Sequence, residues 1–303
     1  MPELPEVQTT VDGINKVAKG HTILDVWTDF ASSHKMFKDS IKNVEYFKKF
    51  KKKLIGAKIL KTERRAKNIL IHTDIKDVTS TLLIHMKMTG HVMYGMYQYN
   101  RKKNEWMPKP GQKALEDPFN RFLHLVLTLD NGKQLVLSDV RKFAKVALID
   151  AETDKTLQDI GPEPLASTFT KDIFLKRINK YPNRVIKTTL MDQALIAGIG
   201  NIYSDEILFV AKILPWRKVS ELSARELATI YKNIKPVLEK GIDFGGDSTS
   251  DYRNIHGERG KFQGAHQVYR RTKQKCLRKG CKGVIERKVI GGRSAHYCMG
   301  CQG

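Results

Sequence analysis

No stretch of this chain is apolar for the roughly 18 residues that a membrane helix needs. It carries no amphipathic anchor, lipidation signal or signal peptide either, so a membrane protein is not expected and a reducing cytoplasm is. Cysteine is scarce and confined: all 4 lie at or beyond Cys276, which argues against a disulfide framework and for metal ligation. Acidic residues are the minority, with 32 Asp and Glu against 54 Lys and Arg, a formal charge of +22. An imbalance of that size points to a polyanionic partner, nucleic acid first. There is no internal repeat and no low-complexity tract, which excludes a solenoid. A length of 303 residues suffices for two domains and a small appendage.

What is present falls into segments. Val7, Val11, Ile14 and Val17 share one helical face behind Pro5-Glu6, and Gly20 is placed to end that helix. Residues 21 to 150 read mainly as strands. Leu123, Leu125, Leu127 and Leu129 alternate, Asp130-Asn131-Gly132 turns, and Leu135 and Leu137 return, which predicts a hairpin. Lys48 to Lys53 read as a solvated basic face, and residues 95 to 120 as a long loop. Helical periodicity begins after Gly161-Pro162-Glu163-Pro164. Ser223 and Glu226 form a capping-box signature ahead of Leu227, Ile230, Ile234 and Leu238, where Pro236 should kink the helix.

Three segments carry possible chemistry. If Met1 is removed, Pro2 presents a secondary amine beside the Glu3 carboxylate. An α-amine titrates near ~7.7 to 8.0, so part of it is an unprotonated nucleophile at neutral pH, able to attack an electrophilic carbon and collapse to an iminium. The plainer reading of the same residues is a helix start, and the two are compatible. Cys276-x4-Cys281 and Cys298-x2-Cys301, with 16 residues between the pairs, offer four thiolates suited to a closed, tetrahedral structural Zn²⁺ site. The unit from about residue 266 is too small for a core of its own and needs that metal. Gly198-Ile199-Gly200-Asn201 stands immediately before an apolar helix, where backbone N–H groups can hold a phosphate.

Taken together, the N-terminal Pro-Glu-Leu-Pro-Glu-Val, the Gly-Ile-Gly-Asn-Ile-Tyr turn and the terminal cysteine pairs resemble the formamidopyrimidine-DNA glycosylase and endonuclease VIII family of base-excision repair enzymes. The resemblance covers nearly the whole chain and implies a multidomain α+β fold. An N-terminal catalytic helix and β-sandwich would occupy 1–150, a linker 151–165, a helical helix-two-turn-helix DNA-binding domain 166–265, and a zinc-finger hairpin 266–303. It also implies Pro2 as nucleophile at the sugar C1′, Glu3 as acid/base and Lys67 as a catalytic-site cation on the phosphates around the lesion. DNA contacts fall to His124, Arg141, Asn201 and Arg293. Met88, Arg141 and Phe143 match the positions that fill the void left by a flipped nucleotide. Ser248, Thr249, Tyr252 and Arg253 match a lesion-binding loop, and Gln8 replaces the family's usual glutamate.

The reading that follows is a monomeric bifunctional DNA glycosylase and abasic-site lyase that removes oxidised purines from duplex DNA in a bacterial-type cytoplasm, at the nucleoid. One structural Zn²⁺ per chain would be its only cofactor. Its rivals are an endonuclease VIII-type enzyme for oxidised pyrimidines and a catalytically silent, zinc-containing DNA-binding protein.

Overall fold

The computed structural model describes residues 1–30, 40–76, 78–150 and 154–303. The chain divides into two compact units: residues 1–158 with 244–261, and residues 159–243 with 262–303. No helix among the described residues is long and apolar enough to cross a membrane.

In the first unit α1 (Leu4–Val17) leads into β1 (Ile23–Thr28), α2 (Val44–Leu54), β2 (Lys58–Arg65), β3 (Asn68–Ile75) and β4 (Val78–His85). There follow β5 (His91–Gly95), β6 (Tyr97–Asn100), β7 (Glu105–Pro108), β8 (Leu123–Leu129), β9 (Gln134–Ser138), β10 (Lys145–Ile149) and the short α3 (Lys155–Gln158). Two antiparallel sheets result, ordered β1-β8-β9-β5 and β10-β4-β3-β2. Period-two positions from both, Ile69, Ile71, Leu82 and Ile84 on one side and Leu125, Leu127, Leu135 and Leu137 on the other, share one core with Val7, Val11 and Ile14 of α1. The expected hairpin is therefore β8–β9. Leu123 leaves the alternation because β8 slips register between Leu123 and Leu125, a bulge that turns it to the opposite face.

One expectation holds within a helix that the sequence had not announced, and one needs correction. The basic run Lys48–Lys53 belongs to the amphipathic helix α2, capped by Asn43, whose side chain accepts Tyr46 N–H at 2.9 Å; Phe50 and Leu54 enter the core while the lysines stay outside. Residues 95–120 are not a structureless loop. They supply the β6–β7 ribbon and a series of turns whose Tyr97, Trp106 and Leu115 cover the outer face of the β1-β8-β9-β5 sheet, over Met93, Val126 and Val136. That cover explains why every residue of β9 is buried.

The same cover leaves His91 wholly buried, its Nε2 2.9 Å from Asn120 Oδ1, and burial pushes its pKa down to about 4 despite that hydrogen bond. The folded imidazole thus stays neutral where an unfolded one, near its ordinary 6.5, takes up a proton. The stabilisation is complete above about pH 6.5 and is lost as pH falls toward 4, at about 1.4 kcal/mol per pH unit. Denaturant melts of the His91→Gln variant should show a shallower acid slope; a slope equal to that of the parent would refute this assignment.

The second unit contains α4 (Lys171–Ile178), α5 (Ile186–Leu190), α6 (Asn201–Ala211), α7 (Ala224–Asp243) and the hairpin β11 (Ile285–Ile290) with β12 (Arg293–Cys298). The capping box is present: Glu226 accepts Ser223 N–H at 2.7 Å, and α7 continues as one helix through Pro236. The partition differs from the expected contiguous 166–265 domain and separate 266–303 finger. Residues 244–261 belong to the first unit because Tyr94 N–H donates to Ile255 O at 2.7 Å and Ile255 packs where a Cβ on Gly13 of α1 would lie only 2.7 Å away. The hairpin joins the helices because α6 binds it directly. Asp205 Oδ2 accepts the His296 N–H at 2.9 Å, and Glu206 accepts the N–H groups of Gln267, Val268 and Tyr269 at 2.9 to 3.1 Å. The chain passes from one unit to the other at 158/159, inside the expected linker 151–165, of which 151–153 lie outside the described residues.

Candidate active site and metal centre

The head of α1 is fixed by a carboxylate. Pro2 and Glu3 are buried, and Glu6 Oε2 accepts the Glu3 N–H at 2.7 Å, the returning arm of a capping box. Glu6 Oε1 accepts Asp247 N–H at 2.8 Å, and its carbonyl accepts the Tyr252 hydroxyl at 3.1 Å. One side chain therefore orients both the Pro2-Glu3 pair and the segment after Gly246. Met1 is attached to Pro2 here, so the Pro2 nitrogen is an amide and becomes nucleophilic only once Met1 is gone.

Gln8 accepts from Arg64 Nε at 2.8 Å and Asn15 accepts Thr62 N–H at 2.7 Å, which lays α1 along β2 with its head toward the Ala66-Lys67 turn. Lys67 is buried at that turn, where Ala66 takes a left-handed φ of 53°. The same end of the sheet holds His85, paired with Asn68 on one side and Lys145 on the other. Burial, then the charges of Lys87, Lys67 and Lys145, hold the His85 pKa near 3, so this cationic end contains a neutral imidazole.

A second carboxylate builds the turn bearing the void-filling candidates. Asp139 is fully buried; it accepts the Thr89 hydroxyl, Arg141 N–H at 3.3 Å and Ala144 N–H at 2.7 Å. The turn folds around it and leaves Arg141 and Phe143 outside, the guanidinium carbon 4.4 Å from the ring centroid. Phe143 is 50% exposed and Met88 37%. Thr89 joins the Met88 turn to the Arg141 turn, so the structure brings Met88, Arg141 and Phe143 onto adjoining loops.

His124 occupies the β8 bulge and is buried, with its ring stacked 4.9 Å from Phe30. Its Nδ1 lies 2.8 Å from Asp29, whose other oxygen takes Lys142 Nζ at 3.0 Å; Nε2 has no partner among the described residues. Burial raises the Asp29 pKa, but His124 and Lys142 outweigh it and the net shift is downward. His124 is thus linked through Asp29 to the turn of Arg141.

The Ser248–Arg253 segment is engaged within the protein. Ser248 Oγ donates to Tyr252 O at 2.6 Å and accepts Gly260 N–H at 2.8 Å, and the buried Arg253 forms a two-pronged ion pair with the partly exposed Asp117 at 3.0 Å. Of the four expected lesion-loop residues, Ser248, Tyr252 and Arg253 are buried and Thr249 is partly exposed.

In the second unit, Asn201 opens α6 behind Gly200, in a turn secured by Gln193, whose Oε1 accepts Gly198 N–H at 2.8 Å. Its Oδ1 has no partner among the described residues. Arg293 is exposed immediately after Gly291-Gly292, both at positive φ (55° and 72°), the two-residue turn that joins β11 to β12. The four cysteine sulfurs lie within 4.8 Å of one another. Cys276–Cys301 at 3.8 Å and Cys281–Cys298 at 3.6 Å are too long for disulfides. They match the ~3.8 Å edge of a tetrahedron with metal–sulfur bonds of about 2.3 Å. A Cβ on Gly283 would come 2.7 Å from Cys298 Sγ, so the chain closes tightly around the thiols. The donor set and spacing can hold one metal ion.

Of the organising carboxylates, Glu6 falls on an acidic position of the N-terminal motif, whereas Asp29, Asp117, Asp139 and Asp205 had no individual signal in the sequence, because most of their partners lie far along the chain.

A helix-led sandwich with a polar N-terminal pair, and a glycine-turn helix bound to a four-thiol hairpin, define a protein of the helix-two-turn-helix class. Residues 1–146 match the model of the formamidopyrimidine-DNA glycosylase N-terminal domain, and residues 160–253 that of the formamidopyrimidine-DNA glycosylase H2TH domain. The formamidopyrimidine-DNA glycosylase of Bacillus subtilis is 35% identical over 308 residues, covering 100% of this chain and 99% of the relative; that of Herpetosiphon aurantiacus is 34% identical over 309 residues, covering 100% of both. A solved complex between Lactococcus lactis Fpg and DNA containing an abasic site is similar in fold, with TM-score 0.79, 30% identity and 99% of each chain covered. The chain belongs to the formamidopyrimidine-DNA glycosylase family.

Proposed function

We propose that this protein is a bifunctional DNA glycosylase and abasic-site lyase of base-excision repair, acting on oxidised purines in duplex DNA in a bacterial cytoplasm, at the nucleoid. The observation that carries the reading is the Pro2-Glu3 pair set by Glu6 at the head of α1, in a chain that aligns end to end with formamidopyrimidine-DNA glycosylases. Free of Met1, the Pro2 nitrogen attacks C1′ and the damaged base leaves. The resulting iminium is the electron sink that acidifies the 2′ hydrogen; elimination expels the 3′ phosphate, and a second elimination expels the 5′ phosphate. Glu3 moves protons during base departure and ring opening. Lys67, Asn201 and Arg293 hold phosphates, and in the first unit His124 contributes to DNA binding beside the Arg141 turn, to which Asp29 and Lys142 link it. Arg141, Phe143 and Met88 fill the vacated stack. Cys276, Cys281, Cys298 and Cys301 hold a structural Zn²⁺, which fixes the hairpin bearing Arg293 and takes no part in bond changes.

Duplexes of defined lesion test this. Cleavage opposite cytosine should be faster for 8-oxoguanine than for an oxidised pyrimidine. Replacing Arg141 and Phe143 by Ala should impair excision from duplex far more than cleavage of a single-stranded abasic site, where no unstacking of a few kcal/mol is needed. A preference for pyrimidine lesions would transfer the protein to the endonuclease VIII branch, and no cleavage by protein lacking Met1 would leave a DNA-binding protein only.

A further inference from the structure

Residues 95–121 have a task besides covering the sheet, for their end grips the segment 246–260. Asp117 caps the short 3-10 turn Pro118–Arg121, accepting Phe119 N–H at 2.9 Å, and the same carboxylate receives Arg253 Nε at 3.1 Å and Nη2 at 3.0 Å. The Arg253 guanidinium also lies 4.9 Å over the Phe119 ring and donates to Ser250 O and Tyr252 O at 3.1 and 2.9 Å. Three residues on, Asn120 is fully buried; its amide donates to Ala114 O at 2.8 Å and to Gly257 O at 3.0 Å, and its oxygen faces His91. Gly257 sits at φ 81° with no space for a side chain, since a Cβ would stand 2.8 Å from both Asn120 Nδ2 and Leu115 Cδ2. Immediately before the Arg253 anchor, and after Ser248, whose hydroxyl is fixed to Tyr252 O and Gly260 N–H, the residues Thr249, Ser250 and Asp251 are partly or fully exposed. A bidentate guanidinium–carboxylate pair with one partner buried is rigid and geometrically specific, and a surface loop of this length does not need it merely to exist.

We infer that Asp117 and Asn120 are positioning residues that hold the 246–260 loop in a preformed shape, so that the tip Thr249–Asp251 meets an extruded damaged base without first ordering. The inference rests on the reading of this loop as the one that contacts the lesion. Its consequence is selective. Removing a base depends on the loop, whereas cleavage at a site that already lacks its base does not. A binding-competent loop present in only a tenth of the molecules raises the apparent KM about tenfold.

The experiment compares full-length, zinc-loaded protein lacking Met1 with its Asp117→Asn and Asn120→Ala variants, on duplexes carrying 8-oxoguanine or an abasic site. Hydrogen exchange at the Gly257 and Gly260 amides is followed in parallel. Expected are faster exchange at both amides, a KM for the 8-oxoguanine duplex raised about tenfold with kcat little changed, and abasic-site cleavage within about twofold of the parent. The charge-swapped pair Asp117→Arg with Arg253→Asp should recover part of the protection and part of the KM, which a general loss of folding would not allow. Unchanged exchange in the variants, or equal losses on both substrates, overturns the brace. Thr249→Ala separates the two levels of the argument. If it impairs excision while a loosened loop in Asp117→Asn does not, the brace alone fails; if neither matters, the assignment of the loop to the lesion fails and the inference with it.

Discussion

Replacing Cys298 with Ser, or removing the metal with a strong chelator, is expected to abolish DNA cleavage and to unfold more than the terminal hairpin. Cys298 is fully buried at the end of β12, and the cluster beside it consists of little more than Phe209, Val268, Ile285 and the other cysteines. Structural zinc contributes on the order of 10 kcal/mol or more to such a unit, more than the rest of its contacts can replace. The damage should spread through α6. Lys187 and Asp205 are both 0% exposed and 2.5 Å apart, and the second oxygen of Asp205 is satisfied by the backbone and ring of His296 in the hairpin. Loss of the hairpin leaves that oxygen without its partners, and a buried charge so stripped costs several kcal/mol. The three amides that Glu206 gathers at 267–269 are released with it. The second unit should therefore lose much of its helical signal while the sandwich, with its own core, melts separately and nearly unchanged. Metal analysis, circular dichroism and duplex binding check it together: active protein without zinc, or an intact helical signal after complete metal removal, would refute it.

The extent to which the sequence foretold this molecule follows the range of the interactions. Helix α1, the β8–β9 hairpin and the four-thiol cluster are written in short-range periodicity and spacing, and each appears where expected. Helix α2 was hidden because five lysines among its eleven residues read as a solvated run, although Phe47, Phe50 and Leu54 fall on one face. The 95–120 segment was hidden for a different reason. Its aromatic residues cover an outer sheet face that alternation alone assigns to solvent. The site divides in the same way. Pro2, Glu3, Lys67, Arg141, Phe143, Asn201 and Arg293 are candidates that the family motifs single out, whereas most of the groups that position them carry no such mark. Glu6 to Asp247, Asp139 to Thr89, Asp205 to His296 and Asp117 to Arg253 join positions between 50 and 241 residues apart. In a chain of net charge +22 the buried acids organise the backbone, and most of the cations are left to face outward. Net charge foretells the partner, yet it conceals the part played by the minority sign.

The chemistry itself stands or falls on one atom. Borohydride reduces an iminium to a stable amine, so protein incubated with duplex containing 8-oxoguanine opposite cytosine should be trapped as a covalent complex whose linked peptide begins at Pro2. The nitrogen suits the task because an α-amine with a pKa near ~8 is already partly unprotonated at neutral pH, whereas a lysine near ~10.4 is not without help. Lys67 illustrates the contrast: it is buried at the same end of the sheet, close enough to bear on His85, yet it shares that end with Lys87 and Lys145. Protein that keeps Met1, or whose N-terminus is chemically blocked, should trap nothing, since its Pro2 nitrogen is an amide. Pro2→Gly puts a primary amine in place of the secondary one and should retain weak trapping. Glu3→Gln should slow base excision by about 10²-fold or more through loss of proton transfer. It should not unfold α1, because the hydrogen bond from the Glu3 N–H to Glu6 does not use the altered side chain. Lys67→Ala should weaken binding and lower the slope of log K against log salt by about one, while the adduct remains on Pro2. A linked peptide that maps to Lys67 or to any other lysine, or efficient trapping by protein shown to retain Met1, would falsify the N-terminal proline mechanism and pass the nucleophile's role to another amine.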